Sequence, residues 1–413
     1  MKQNSTRAAL TRLSETYIRL VLSVGGHDND YVDAYYGPES LKGDPLPLDA
    51  IRKRGAAAIG ELKTLSPTRM DEMVRLRHLY MLRQLQSLVS RVDMLLGKKM
   101  TFDEESQALY DATAPSYTEE HFREILGELD AVLPGNGAVP GRFEAYRAAF
   151  VVPGEKLDRV FTAAINESRK RTAERIALPE GENFTVEYVT GKSWSGYNWF
   201  KGNCHSLIQV NTDFPITVDR AVDLASHEGY PGHHVYNSLL ETRLVRGRKW
   251  MEFTVYPLFS PQSLIAEGTA NFGIEMAFPG EERVEFEREV LFPLAGIPGE
   301  GAREYYRIHG LFLKLAYAGN EAARRYLDGE FTREKAVEYL MSYALMSAER
   351  ALQRTKFFDQ YRSYVINYNL GQDMVKRYIE AAGGVPRRPE QRWKIFEELI
   401  SSPRLPSGLL YVT

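Results

Sequence analysis

The chain has a single cysteine in 413 residues, Cys204, which excludes an internal disulfide and any zinc site built on several thiolates. A metal would have to be held by histidines and carboxylates. Cys204 precedes His205, but neighbours on a strand face opposite sides, so the two cannot pair as nucleophile and base; Cys204 reads as a small buried side chain. No apolar run approaches the roughly 20 residues of a membrane-spanning helix. Blocks of like charge are missing too, and the net charge is only -3, which argues against a nucleic-acid groove and an anionic membrane surface. Met1 to Arg12 is polar and lacks the apolar core and cleavage site of a secretory signal, so a cytoplasmic location is expected. What remains as a partner is a peptide or small amide; oligomeric state is open.

Apolar residues make up 44% and charged residues 26%, values that suit a globular chain with a sizeable core. From Arg7 to about Leu129 apolar residues recur three and four apart, as in Met73-Val74-Leu76-Leu79-Leu82-Leu85, which predicts helices packed on helices. Turn clusters at Gly25-Gly26-His27-Asp28, Leu65-Ser66-Pro67 and Leu133-Pro134-Gly135-Asn136-Gly137 punctuate this half. A further helix is expected from Pro153 to Ile176, then a turn at Leu178 to Gly181. Between Asn183 and Asp213 the pattern changes: Phe184 to Val189 and Ser206 to Asn211 are strand-like, and predict a small antiparallel sheet. Helical periodicity returns through Leu264 to Phe278, Glu281 to Leu294, Arg303 to Tyr317 and Ala336 to Ala381. The expected fold is mainly α, with a helical region over 1–177 and a metal-binding region over 178–413, joined as one domain around a groove. The sheet stands directly before the motif helix, where an exposed strand could pair with an extended peptide.

Three of the eight histidines fall in His227-Glu228-Gly229-Tyr230-Pro231-Gly232-His233-His234. The helix reaching them has Thr217 or Asp219 as its cap. In an HExxH helix two histidines four apart bind zinc, while the glutamate between them activates water. Here Pro231 occupies the place of the second histidine, and a straight helix would set His233 or His234 about 9 to 10.5 Å along the axis from His227, too far for one ion. Pro231 and Gly232 must therefore bulge. If they loop out, His233 becomes the second ligand and His234 lies behind it or faces substrate; the alternative is His234, seven residues and nearly two turns from His227. The third ligand is expected at Glu267, whose small neighbours Ala266, Gly268 and Ala270 would let two helices close on a shared ion. Glu275, two turns on, could orient a ligand histidine or replace Glu267.

At these residues the chain resembles the bacterial domain-of-unknown-function family 885, which carries an HExxPGHH motif. The likeness extends through Tyr31-Val32-Asp33-Ala34-Tyr35-Tyr36-Gly37-Pro38, Val210-Asn211-Thr212, Glu267-Gly268-Thr269-Ala270 and Tyr368-Asn369-Leu370-Gly371-Gln372. Thr269 stands where that family commonly has an aromatic residue, and Tyr236 where it often has Gln. The resemblance implies a zinc metallopeptidase. A fainter similarity to carboxypeptidase Taq implies a mainly helical gluzincin with a deep groove, and aligns Gly232-His233 with the end of that group's HExGH motif.

The expected chemistry is hydrolysis of a peptide bond, with exopeptidase action as one form of it, Zn2+ held by His227, His233 and Glu267 and its water deprotonated by Glu228. Tyr364 and Tyr368 are candidates to stabilise the oxyanion, and Asn211 to bind substrate backbone, although Asn before Thr-Asp is more often a turn residue. Two other functions use the same residues: hydrolysis of a non-peptide amide or small metabolite, and a binding protein whose site is inactive.

Overall fold

The structure is a computed structural model that describes residues 2–65 and 70–410, with side chains from residue 6 onward. The expected turn at Leu65-Ser66-Pro67 therefore lies largely outside the described residues.

The first half forms helices α1 (Lys2–Gly25), α2 (Leu48–Thr64), α3 (Glu72–Leu95), α4 (Phe102–Tyr110), α5 (Glu119–Val132), α6 (Val139–Ala148) and α7 (Leu157–Ala173). Their starts are written in the sequence. Asp71 accepts from the Val74 amide, Thr118 from that of His121, and Thr101 forms a reciprocal capping box with Glu104, each satisfying a first-turn N–H that the helix cannot. Strand β1 (Val32–Tyr35) interrupts the helices, and pairs antiparallel with the distant β5 (Val255–Pro257). Periodicity gave no sign of this pair, because strands of four and three residues are too short to show alternation.

The small sheet before the motif helix comprises β2 (Asn183–Val189), β3 (Gly196–Gly202) and β4 (His205–Asn211) in the order β2-β4-β3. The β3–β4 hairpin is antiparallel, and β2 lies along the other edge of β4, parallel to it, because the chain crosses the end of the sheet before entering β3. Asn203 and Cys204 turn the hairpin with φ near 55° each, and the buried Glu241 carboxylate accepts both of their amides. Cys204 is buried in that turn.

The second half continues with α8 (Val218–Leu224), α9 (His233–Leu240), α10 (Pro261–Ala277), α11 (Glu281–Phe286), α12 (Phe292–Ala295), α13 (Ala302–Leu313), α14 (Ala318–Leu327), α15 (Arg333–Tyr343), α16 (Ala348–Tyr361), α17 (Ile366–Ala381) and α18 (Pro389–Ile400). The expected helix from Ala336 to Ala381 is thus three: Ser347 caps α16 through the Arg350 amide, and a 3-10 turn at Arg362–Val365 separates α16 from α17. Thr217 stands at the start of α8 but does not cap it; its hydroxyl oxygen accepts from Arg147 Nη2 at 2.8 Å.

Two apolar clusters hold the molecule. The larger joins the N-terminal helices to α9, α10 and α14 to α18, and the smaller packs Phe150, Phe161, Val222, Phe292 and Tyr305 beneath the sheet and α8. Within the larger cluster α10 and α17 cross at Gly268 and Gly371. A Cβ on Gly268 would lie 2.4 Å from the Gly371 carbonyl carbon, so the backbones meet directly. The small residue beside Glu267 thus serves contact with α17 rather than with the motif helix. That contact brings Tyr364 and Tyr368 beside Glu267.

Candidate metal centre and its cavity

The motif departs from α-helix where the sequence requires it. After Leu224 the chain widens into a π-turn, Ala225–Gly229, in which the Tyr230 amide donates to Ala225 O at 3.1 Å, and the Gly232 amide reaches back to Ser226 O at 2.9 Å. These longer reaches absorb the extra residues between His227 and His233. Gly232 is indispensable to the path: a Cβ there would lie 1.9 Å from the His227 carbonyl oxygen. α9 then begins at His233, with its imidazole facing that of His227 at 4.6 Å between ring centroids.

Three donor atoms converge. His227 Nε2 and His233 Nε2 are 3.1 Å apart, and Glu267 Oε2 lies 3.2 Å from the first and 3.7 Å from the second. Metal–ligand bonds of 2.0 to 2.2 Å at tetrahedral angles set ligand atoms about 3.3 to 3.5 Å apart. The observed separations fit one zinc ion. Glu267 Oε2 is buried and has no conventional hydrogen-bond partner among the described residues, which also fits an atom reserved for a metal. His227, His233 and Glu267 form the one such cluster among the described residues.

Neighbouring side chains orient two of these donors. His227 Nδ1 lies 2.9 Å from Asn271 Oδ1, while Asn271 Nδ2 donates to the Tyr368 carbonyl at 2.9 Å. The second bond orients the amide, so Nδ1 carries the proton and the Nε2 lone pair points to the centre. Tyr364 donates its hydroxyl to Glu267 Oε1 at 2.7 Å, leaving Oε2 for the ion. Burial alone would raise the Glu267 carboxyl, but the imidazoles of His227 and His233 facing it outweigh this and hold the group well below the usual carboxylate range. Tyr364 is buried against Glu267, and both facts keep its phenol protonated well above its ordinary pKa.

Glu228 is buried beside the centre and lines the same cavity, with its backbone carbonyl held by Asn198 Nδ2 at 2.7 Å. Burial is the main cause that pushes its carboxyl up to about 7; His233 opposes this and Glu267 adds to it. Asp33, on β1, also lines the cavity; burial pushes it up to about 6 against the hydrogen bond it accepts from the Tyr197 hydroxyl. The cavity measures about 1310 Å³, larger than the roughly 300 to 1,000 Å³ usual for small ligands.

Three sequence expectations are corrected. His234 does not face the cavity: it is fully buried between Ser206 Oγ (2.9 Å from Nδ1) and Glu182 Oε2 (2.9 Å from Nε2), because the turn at Pro231-Gly232 rotates it away from His227. It fastens the start of α9 to β4. Glu275 neither orients a histidine nor binds the centre, since Lys376 and Arg392 engage its carboxylate at 3.1 and 2.6 Å. Asn271 fills the orienting role. Asn211 lines the cavity, but its amide is spent on the carbonyls of Lys192 and Trp194 and on the Asp213 amide, which makes it a turn residue.

Asn271 could have been found, for it stands one helical turn after Glu267 and so on its face. Asp33 stands in a segment that carries the family likeness, but nothing local tied it to the motif, since it lies far away in sequence on a strand too short to recognise.

No protein-family model matches the chain, and no curated protein does either. Among solved structures, its fold is similar to that of a protein described as a putative lipoprotein from Colwellia psychrerythraea. The TM-score is 0.55 and the identity 15%, over 87% of this chain and 65% of that one. At that identity the likeness is one of fold: a mainly helical architecture with a small sheet. Among the described residues no helix is long and apolar enough to cross a membrane.

Proposed function

We propose that the protein is a zinc-dependent peptidase whose ion is held by His227, His233 and Glu267. The observation that carries this reading is the convergence of the three donor atoms at separations of 3.1, 3.2 and 3.7 Å beside a buried glutamate. When bound there, zinc would act as a Lewis acid and lower the pKa of water to about 7. Glu228 takes the proton from the attacking water and returns it to the leaving amine, a task suited to a carboxyl pushed up to about 7. Tyr368 lines the cavity and its hydroxyl has no protein partner among the described residues, so it is free to donate to the developing oxyanion. Tyr364, already committed to Glu267, positions that ligand instead. Asn271 holds the His227 tautomer, and the size of the cavity favours a peptide over a small metabolite.

The HExxPGHH motif and its likeness to domain-of-unknown-function family 885 support the same reading. A cytoplasmic location belongs to the proposal, and the lone cysteine agrees with a reducing compartment. The test combines metal analysis with hydrolysis of a mixed peptide library by the wild type and a Glu228→Gln variant. Zinc near one per chain in both proteins, with turnover lost in the variant, is the expected result. Zinc without peptide turnover moves the assignment to a small-molecule amide hydrolase, and absence of zinc from both refutes the catalytic reading.

A further inference from the structure

Four arginines line the cavity that holds the metal centre: Arg147, Arg220, Arg350 and Arg354. Arg220 is paired with Asp223 at 3.1 Å, and Arg147 donates to the Thr217 hydroxyl. The other two are different. Arg350 and Arg354 stand four apart on α16 and therefore share a face. Neither has an acidic partner among the described residues. Arg350 donates a single bond, from Nη2 to the Pro215 carbonyl at 3.1 Å, and lies over the Phe214 ring. Arg354 donates none; its Nε is buried and unpartnered, and its guanidinium rests against Phe357, Phe358 and Tyr368 at 4.5, 5.6 and 6.0 Å from their ring centroids. Among the described residues, all five N–H donors of Arg354 go unused.

A guanidinium sheltered by aromatic faces and left without an acceptor is costly unless a ligand completes it. Its fork matches a carboxylate, and the surrounding rings would exclude water from that pair. Arg147 and Arg220 add like charge around Arg350, which the buried Asp219 opposes, and among the described residues no carboxylate forms an ion pair with Arg350 or Arg354. The position is also suited to substrate. Tyr368 touches Arg354 on one side and packs edge-to-face on Tyr364 on the other, at 5.8 Å, and Tyr364 holds Glu267. Arg354 thus lies two aromatic rings from the metal centre, within one cavity.

We infer that Arg354, assisted by Arg350, binds a carboxylate of the substrate, so that the cavity selects anionic peptides. This deepens the peptidase reading and rests on it for the word substrate, but the two arginines that define the carboxylate site pair with no proposed metal ligand. Two sources share the chemistry: the C-terminal carboxylate of a peptide and an acidic side chain.

The test is calorimetric titration of the Glu228→Gln chain, zinc-loaded and metal-free, with one short neutral peptide in three forms: the free acid, the C-terminal amide, and the amide with Glu as last residue. The free acid is expected to bind at least about tenfold more tightly than the neutral amide in both metal states, because the pair does not need the ion. Arg354→Met should abolish the difference, and Arg350→Met should reduce it. Preference for the free acid alone assigns the C-terminal carboxylate; equal gain by the Glu-containing amide assigns an acidic side chain. Equal binding of all three forms overturns the inference, as does a preference that survives both substitutions or disappears on metal removal. The first comparison needs no arginine variant, so misfolding of Arg354→Met would not blunt it. A chain that shows the preference but binds no zinc refutes the peptidase and keeps the carboxylate site; a zinc peptidase without the preference does the reverse.

Discussion

Asn271 is where the reading of the metal centre is most exposed to test. Its side chain accepts from His227 Nδ1 at 2.9 Å and donates to the Tyr368 carbonyl at 2.9 Å. Asn271→Ala deletes both bonds without touching a proposed ligand. The imidazole is then free to rotate or to adopt the other tautomer, and partners that orient ligand histidines contribute about 10- to 100-fold to metal affinity. That range corresponds to about 1.4 to 2.7 kcal/mol. The bared Tyr368 carbonyl and His227 N–H each add a cost of about 1 kcal/mol to the folded state, at the lower end of the usual penalty because the site borders an open cavity. The assay is zinc competition against a chromophoric chelator, with thermal unfolding of the metal-free protein as the stability readout. Asn271→Asp is the informative partner, since a carboxylate restores the acceptor but not the donor to Tyr368. It should bind zinc at least as tightly as the wild type while sharing the stability loss. Zinc affinity within about threefold of wild type in Asn271→Ala would refute the view that this amide sets the His227 tautomer, and with it the identity of Nε2 as the ligand atom.

Other outcomes follow from the same geometry. Tyr364→Phe removes the one hydroxyl that, among the described residues, donates to Glu267 Oε1, and should weaken zinc about tenfold in the same competition assay while leaving the fold intact. Gly232→Ala places a methyl 1.9 Å from the His227 carbonyl oxygen, so the chain should lose zinc and more than about 3 kcal/mol of stability; a normal unfolding curve would show that the turn is not needed. Removing metal with a chelator should lower the midpoint of thermal unfolding, by the equivalent of about 4 kcal/mol if zinc was present at 1,000 times its Kd. Away from the centre, burial, opposed by Arg283, pushes the Glu287 carboxyl up to about 7. The folded state then holds this proton more tightly than the unfolded one, so its contribution is complete below the ordinary glutamate value near 4.5 and is lost as pH rises through 7. Glu287→Gln should flatten that part of the stability profile measured by denaturant titration, and an unchanged slope would refute the assignment.

Much of this protein was legible from sequence because the relevant physics is local. Helix periodicity placed most of α1 to α18, and Ser, Thr and Asp caps mark the starts of α3, α4, α5, α15 and α16. The motif itself carried enough stereochemistry to predict a bulge, since Pro231 cannot continue a helix, but it left His233 and His234 both open as the second histidine. The argument for His234 assumed an unbroken α-helical count, which the π-turn removes. What tertiary structure decided was every relation between elements far apart in the chain. Asn271 and His227 are 44 residues apart, Tyr364 and Glu267 are 97, and Asp33 joins the cavity from the first strand. Glu275 and Glu267 lie on one helix, and nothing local distinguishes them; Lys376 and Arg392 claim the first, while His227 and His233 face the second. The same holds for Arg350 and Arg354, ordinary in sequence and unusual only because packing gives them a cavity wall and, among the described residues, no ion-paired acid. A residue's identity and near neighbours state what it can do, but which partner it meets depends on how α10, α16 and α17 cross, and that is settled by the summed packing of the whole core.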